Sequence, residues 1–132
     1  MSQENVEIVR ASIDAINSGD ADAAFRDMAP DFEFDFSRSI GFQPGVYKRE
    51  GAQELWQEFA RMWESVRWEP DGFIAAGEHV VTPLTTTLAG RDGIELQDLR
   101  STWVWTIRAG RVARITYYQE RQEAFEAAGL PG

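Results

Sequence analysis

Apolar residues recur at helical spacing in the first third of the chain and at alternate positions in its last third. Between residues 3 and 17, Val6, Val9, Ile13 and Ile16 fall three and four apart, which predicts an amphipathic helix. Ser2 is available as its N-cap, and Glu4 and Glu7 lie in a first turn whose dipole favours acids. Asn17-Ser18-Gly19 ends this helix. Asp20 can cap a shorter one running through Met28, with Ala24, Phe25 and Met28 on its buried side and Pro30 closing it. Phe32-Glu33-Phe34-Asp35-Phe36 then alternates strictly, three phenylalanines against two acids, as a half-buried strand does. Residues 37–47 contain Gly41, Pro44 and Gly45 and read as a loop with a short strand at Val46-Tyr47. A third helix is predicted over residues 52–66. Leu55, Phe59 and Met62 follow one line along it with Trp56 and Trp63 beside them, an apolar face so broad that the helix must be nearly enclosed.

The remainder reads as strands. Residues 67–76 form one that is interrupted at Pro70-Asp71-Gly72, and residues 80–88 are β-branched enough for another. Gly77-Glu78-His79 and Arg91-Asp92-Gly93 are the turns around it. Two long strands follow, 95–107 and 111–118, joined by a tight hairpin at Ala109-Gly110. Alternation places Ser101, Trp103, Trp105 and Ile107 on one face of the first and Arg100, Thr102, Val104 and Thr106 on the other. On the second strand Ala113, Ile115, Tyr117 and Gln119 alternate with Val112, Arg114, Thr116 and Tyr118. A terminal helix over 120–128 is stopped by Gly129 and Pro131. The chain shows no internal repeat and no linker, so residues 1–132 read as a single α+β domain of helices followed by mostly antiparallel strands. Helices on one face of a curved sheet enclose a conical cavity.

Composition narrows the partners. A chain of 132 residues buries roughly two-thirds of the surface its unfolded form exposes, enough for a core without staples. With no cysteine, disulfides, thiol nucleophiles and thiolate metal sites are excluded. Twenty-two acidic against 13 basic residues leave a net charge of -9, which repels nucleic-acid phosphates and anionic lipid. The sequence has no apolar run of membrane-spanning length and begins without a basic or apolar leader, so a cytoplasmic protein is expected. One histidine without cysteines makes a metal site unexpected.

Local sequences carry a family resemblance. The helix ending in Asn17-Ser18-Gly19-Asp20, the strand after Pro30-Asp31 and Gly45-Val46-Tyr47 before a helix are its first parts. Ala76-Gly77-Glu78 before a Val-Val strand, the run from Val104 to Val112, and the ending from Glu123 to Leu130 complete it. Together they resemble the nuclear transport factor 2-like superfamily, in its SnoaL-like, ketosteroid-isomerase-related branch. The resemblance implies a cone: a strongly bent, mostly antiparallel sheet wrapped around three helices from the N-terminal half, with a short C-terminal helix. It also implies a homodimer paired through the outer sheet face, where Val104, Thr106, Val112, Thr116 and Tyr118 make an apolar surface. This fold hosts many chemistries, and the chain departs from their catalytic patterns. The tyrosine, base and acid positions of ketosteroid isomerases fall on Ser12, Phe36 and Trp103. Polyketide cyclases place an acid or histidine at Trp103 and an acid at Tyr117. Limonene-epoxide hydrolases need an aspartate at Tyr117 and charges on a strand that here, over 80–88, carries none. Those activities are not carried over.

What remains is a pocket without proton carriers. Ser12, Phe36, Phe59, Thr85, Thr87, Trp103, Trp105, Tyr117 and Gln119 are the expected ligand-binding residues, an aromatic lining with hydroxyl and amide groups to orient a small apolar, cyclic molecule. No cofactor is expected. Asp35 and Tyr117 are the candidates for catalysis in an isomerase or cyclase, Asp35 reaching the base position only if its strand slips by one residue and turns the phenylalanines outward. A third reading is an interaction module whose pocket is filled by Trp103, Trp105 and Phe36. His79 sits in a turn and reads as exposed. Asp35 with Arg38, and Asp98 with Arg100, read as surface or dimer-interface ion pairs rather than buried catalytic ones.

Overall fold

The computed structural model describes residues 2–38 and 45–131. The expected Ser2 side-chain cap and residues 39–44 of the 37–47 loop lie outside the described residues. Helix α1 (Ser2–Asn17) buries Val6, Val9, Ile13 and Ile16, and α2 (Ala21–Arg26) follows with Asp20 accepting from the Ala23 amide at 3.4 Å. Strand β1 (Glu33–Asp35) pairs antiparallel with β2 (Val46–Lys48) and parallel with β7 (Arg111–Tyr118). Between them in sequence come α3 (Arg49–Met62), β3 (Trp63–Pro70), β4 (Ile74–Ala76), β5 (His79–Gly90) and β6 (Glu95–Arg108), and α4 (Arg121–Ala127) is the last element. The strand order is β2-β1-β7-β6-β5-β3, with β4 also paired to β5. This is the α+β cone: a curled, mostly antiparallel sheet with α1, α2 and α3 on its inner face and α4 on its outer one.

Residue 62 is where sequence and structure part. The helix expected to run to residue 66 ends at Met62, and Trp63 is already extended, with φ -119° and ψ 137°. From Val66 the side chains alternate inward and outward, and Val66 and Trp68 pair with Leu88 and Thr86 of β5. As the edge strand of the sheet, 63–70 pairs along one side with β5, which satisfies alternate backbone groups, and the strand conformation also buries Trp68. Asn17 locks that strand to α1: its side chain accepts from the Trp68 amide at 2.8 Å and donates to the Trp68 carbonyl at 2.7 Å.

Ala109 and Gly110, with φ of 51° and 76°, form the two-residue turn of β6 and β7, the handedness that matches strand twist. Two bulges then reset the faces. Ile107 opposes Val112 but Thr106 opposes Arg114, so Ala113 is the extra residue and Val112 turns inward to the core at 2 % exposure. The outer-face set expected from plain alternation therefore loses Val112. On β6, Gln97 and Asp98 together oppose Thr87, and Asp98 adopts a φ of 57°. On the outer face Val81, Val104 and Tyr118 pack under Ala124, with Phe125, Ala128 and Leu130 around them. Of the surface expected to pair two subunits, Val104 and Tyr118 are thus covered by the chain's own C-terminal helix, which takes their apolar area out of water.

Candidate functional site

Between α3 and the inner face of the sheet lies a cavity of about 690 Å³. Its floor is Trp103, whose ring centroid is 4.5 Å from Trp68, 5.3 Å from Phe34 and 6.0 Å from Tyr117. The register explains the convergence: Trp103 and Tyr117 face each other across β6 and β7, and Phe34 sits beside Ile115 on the neighbouring strand. Its roof comes from α3, through Ala52, Leu55, Trp56, Phe59 and Met62. Helix α3 was expected to be nearly enclosed, but of its described residues only Ala52 is buried. Its broad apolar face borders the cavity, with Leu55 and Trp56 also packed against the core and the Trp56 ring 5.4 Å from Trp68. At the rim Met62 is 70 % exposed and Leu96 and Leu99 each 40 %.

The polar groups form a line along one wall. Trp103 Nε1 donates to Ser101 Oγ at 3.0 Å, and farther along the wall the Tyr117 hydroxyl donates to Gln119 Oε1 at 2.5 Å. Burial pushes the Tyr117 phenol above its ordinary value, with the Ser101 hydroxyl opposing the rise. At neutral pH it is a hydrogen-bond donor and not a phenolate. Thr86 adds a hydroxyl to the wall, while Glu58, Asp98 and Arg100 are exposed residues bordering the opening.

Of the residues expected from the sequence, Phe36, Phe59, Trp103, Tyr117 and Gln119 line this cavity. Trp105 does not. It is fully buried beside Trp103, and its Nε1 donates to Thr82 Oγ1 at 2.9 Å. Ser12 spends its hydroxyl on the Ile8 carbonyl of its own helix, 3.2 Å away. Thr85 and Thr87 lie on the other face of β5, because Val80 and Leu84 commit the even-numbered residues inward; Thr85 donates to Asp71 instead. Thr86 stands where they were expected. Ser101 was legible by alternation with Trp103, whereas Thr86, Trp68 and the rim leucines required the register.

Asp35 also lies elsewhere. Phe32, Phe34 and Phe36 all enter the core, so no slip occurs and Asp35 faces outward with Arg114 Nη2 at 2.7 Å. Its Oδ1 accepts from the Ser37 amide at 2.9 Å and the Ser37 hydroxyl at 2.5 Å. Burial opposes its ionisation most strongly, but the Ser37 hydrogen bonds and the Arg114 guanidinium together hold the carboxyl below its usual range. Arg38, expected beside Asp35, instead reaches Glu123 at 3.7 Å and covers the Tyr118 ring. Among the described residues no ion pair joins Asp98 to Arg100, which the bulge separates. His79, expected to be exposed, is half-buried, with Nδ1 3.1 Å from Thr106 Oγ1, and does not line the cavity. Among the described residues no group of three or more histidine or acidic side chains is placed to hold a metal, and no helix is long and apolar enough to cross a membrane.

A family model described as SnoaL-like domain matches residues 9–115. The chain belongs to the SnoaL-like domain family. No curated protein matches this SnoaL-like chain in sequence. Among solved structures it is similar to TerC co-crystallised with polyporic acid, at 22 % identity and a TM-score of 0.77 over 96 % of this chain and 98 % of that one. It is also similar to an NTF2-like protein of unknown function from Burkholderia pseudomallei, at 22 % identity and a TM-score of 0.75 over 93 % and 95 % of the two chains. A protein of ketosteroid isomerase-like fold from Catenulispora acidiphila, in complex with trimethylamine, gives 17 % identity and a TM-score of 0.74 over 95 % and 94 %. At these identities the likeness establishes the fold that the SnoaL-like chain shares with them.

Proposed function

We propose that this SnoaL-like domain binds a small, largely apolar cyclic molecule in the cavity beneath α3. The observation that carries the reading is the cavity itself: about 690 Å³ walled by Phe36, Trp56, Phe59, Trp68 and Trp103, with one polar line through Ser101, Tyr117 and Gln119. Sites of this build bind flat apolar ligands through area and orient them through a few polar groups. TerC, of the same fold, was solved with polyporic acid, and the Catenulispora protein with trimethylamine. The carboxylates bordering the cavity, Glu58 and Asp98, are exposed residues, while the described inner wall offers hydroxyls, an indole N–H and an amide. That set favours binding over general acid–base turnover, which needs a group able to carry a proton near neutral pH. A void of this size also weighs against an interaction module with a filled interior.

Native mass spectrometry before and after denaturation, followed by tryptophan-fluorescence titration with fluorene, tests the reading. The expected result is a retained small mass or saturable quenching that weakens in Trp103→Ala. Absence of both would overturn it. The expected homodimer stays part of the proposal but needs another surface, since Val104 and Tyr118 are buried under α4. Among the described residues Val46, Met62, Ile94, Leu96 and Leu99 are the large apolar side chains left exposed, and the last four lie nearest one another in sequence or at the cavity rim. Light scattering on Leu99→Glu tests that surface, and a dimer unchanged by the substitution would exclude Leu99 from the interface.

A further inference from the structure

The cavity beneath α3 is walled by aromatic rings more than by aliphatic side chains, and rings carry a charge pattern that aliphatic chains lack. Four of the chain's five tryptophans, Trp56, Trp63, Trp68 and Trp103, line it together with Phe59 and Tyr117. Neighbouring rings stand steeply to one another: Trp56 and Trp68 meet at 73° with centroids 5.4 Å apart, and Trp68 and Trp103 at 68° and 4.5 Å. Rings at such angles form the corner of a box instead of a stack, so π faces as well as edges border the space between them. Each face is the negative part of a quadrupole, and the indole face attracts cations most strongly. No lysine or histidine borders the cavity, and the charged residues at its opening are two acids and one base. Glu58 lies one helical turn from Leu55 and from Met62, on the side of α3 that borders the cavity. Among the described residues neither Glu58 nor Asp98 is held in an ion pair. Arg100 pairs with Thr85, which lies on the outer face of the sheet, so its side chain is turned away from the tryptophans. Arg61 and Arg91, at the end of α3 and beyond it, line a separate depression with Asp20 and Asp22. The whole chain adds a net charge of -9.

We infer that the molecule bound beneath α3 is a cation, an apolar ring system carrying an alkylated ammonium, with the ammonium against the tryptophan faces and the Glu58 carboxylate at the mouth as its countercharge. This rests on the pocket reading above and adds the sign of the ligand's charge. In an aliphatic pocket an ion loses its hydration without compensation. Over an indole face shielded from water, the quadrupole attraction offsets that loss. A fully alkylated ammonium suits the site because it has no N–H to leave unpaired and its alkyl groups pack as hydrocarbon does. An anion meets the same faces, the same carboxylates and the same net charge with repulsion.

The test compares benzyltrimethylammonium with neopentylbenzene, which have the same shape and differ by a cationic nitrogen against a carbon. Affinities come from calorimetric titration, with circular dichroism confirming that each variant is folded. Wild-type protein should bind the cation at least as tightly as its neutral isostere. The N-methyl proton resonances should move upfield in the complex, as protons lying over a ring face do. Trp56→Leu, or Phe59→Leu where that variant does not fold, keeps apolar bulk and removes a π face; the cation should lose about three- to tenfold in affinity and the hydrocarbon less than about twofold. Glu58→Gln should weaken the cation by about two- to threefold at low salt and leave it unchanged at about 0.5 M NaCl, where the charge is screened. A cation that binds more weakly than neopentylbenzene or not at all, or equal losses of both compounds in the leucine variants, would overturn the charge assignment, while binding of fluorene would leave the pocket reading intact. Glu58→Gln with wild-type affinity at low salt would overturn the part given to Glu58. Binding of none of the three compounds would remove the pocket reading and the charge assignment with it.

Discussion

Asp35→Asn separates a structural carboxylate from a catalytic one. In the wild type its Oδ2 accepts from Arg114 at 2.7 Å, while Oδ1 holds both donors of Ser37. Asparagine keeps an oxygen for Ser37 but turns an amide NH2 against a guanidinium that also only donates. One charge-assisted hydrogen bond is lost, worth about 1.5–3 kcal/mol when well buried. The Arg114 side chain is 35 % exposed and keeps Glu33 at 2.5 Å, so screening and the remaining partner reduce the loss to about 1–2 kcal/mol. In a chain of 132 residues each kcal/mol moves the melting midpoint by roughly 4 °C, so a fall of about 4–8 °C is expected. The effect should depend on pH in one direction. Because the folded-state carboxyl titrates below its ordinary value, its stabilisation is complete above about pH 4 and is lost as pH falls through the folded-state value. Urea unfolding at pH 7, 5 and 3 should therefore show a constant gap between wild type and Asp35→Asn at the two higher values and a closing gap at the lowest. Fluorene affinity should be unchanged, since Asp35 lies on the opposite face of β1 from Phe34 and Phe36. A variant of unaltered stability that no longer binds, or a stability gap that persists undiminished into strong acid, would refute this reasoning.

Thr82→Val keeps the shape of a fully buried side chain but strips the acceptor from Trp105 Nε1; a loss of about 1–3 kcal/mol in urea unfolding is expected, with Thr82→Ser recovering most of it. Asn17→Ala removes both bonds to the Trp68 backbone and should cost about 1–3 kcal/mol, with faster hydrogen exchange at the Trp68 amide as its local signature. Gly110→Ala forces a Cβ into the left-handed conformation of the β6–β7 turn, and a loss of about 1–2 kcal/mol without change in ligand affinity is expected from thermal unfolding.

Periodicity was sufficient wherever one face of an element is buried and the other wet, because there the hydrophobic effect reads the sequence directly. That is why α1, α2, the Phe32–Phe36 alternation and the hairpin at Ala109-Gly110 were legible, and with them the pocket faces of Trp103 and Tyr117. What tertiary structure decided lies where the pattern supports two answers. In residues 80–88 both parities are apolar or β-branched, so only pairing with β6 and β3 could choose Thr86 over Thr85 and Thr87. Residues 63–66 suit a helix or a strand, and the β5 ladder selected the strand. The bulge at Ala113 exchanged the faces of Val112, which no alternation rule anticipates because it inserts one residue into a period of two. The breadth of apolar surface on α3 was visible in the sequence, but whether it met side chains or a void was not. Amphipathicity records that a face avoids water; the space in front of that face is set by where the sheet curls, and here it leaves room for a ligand.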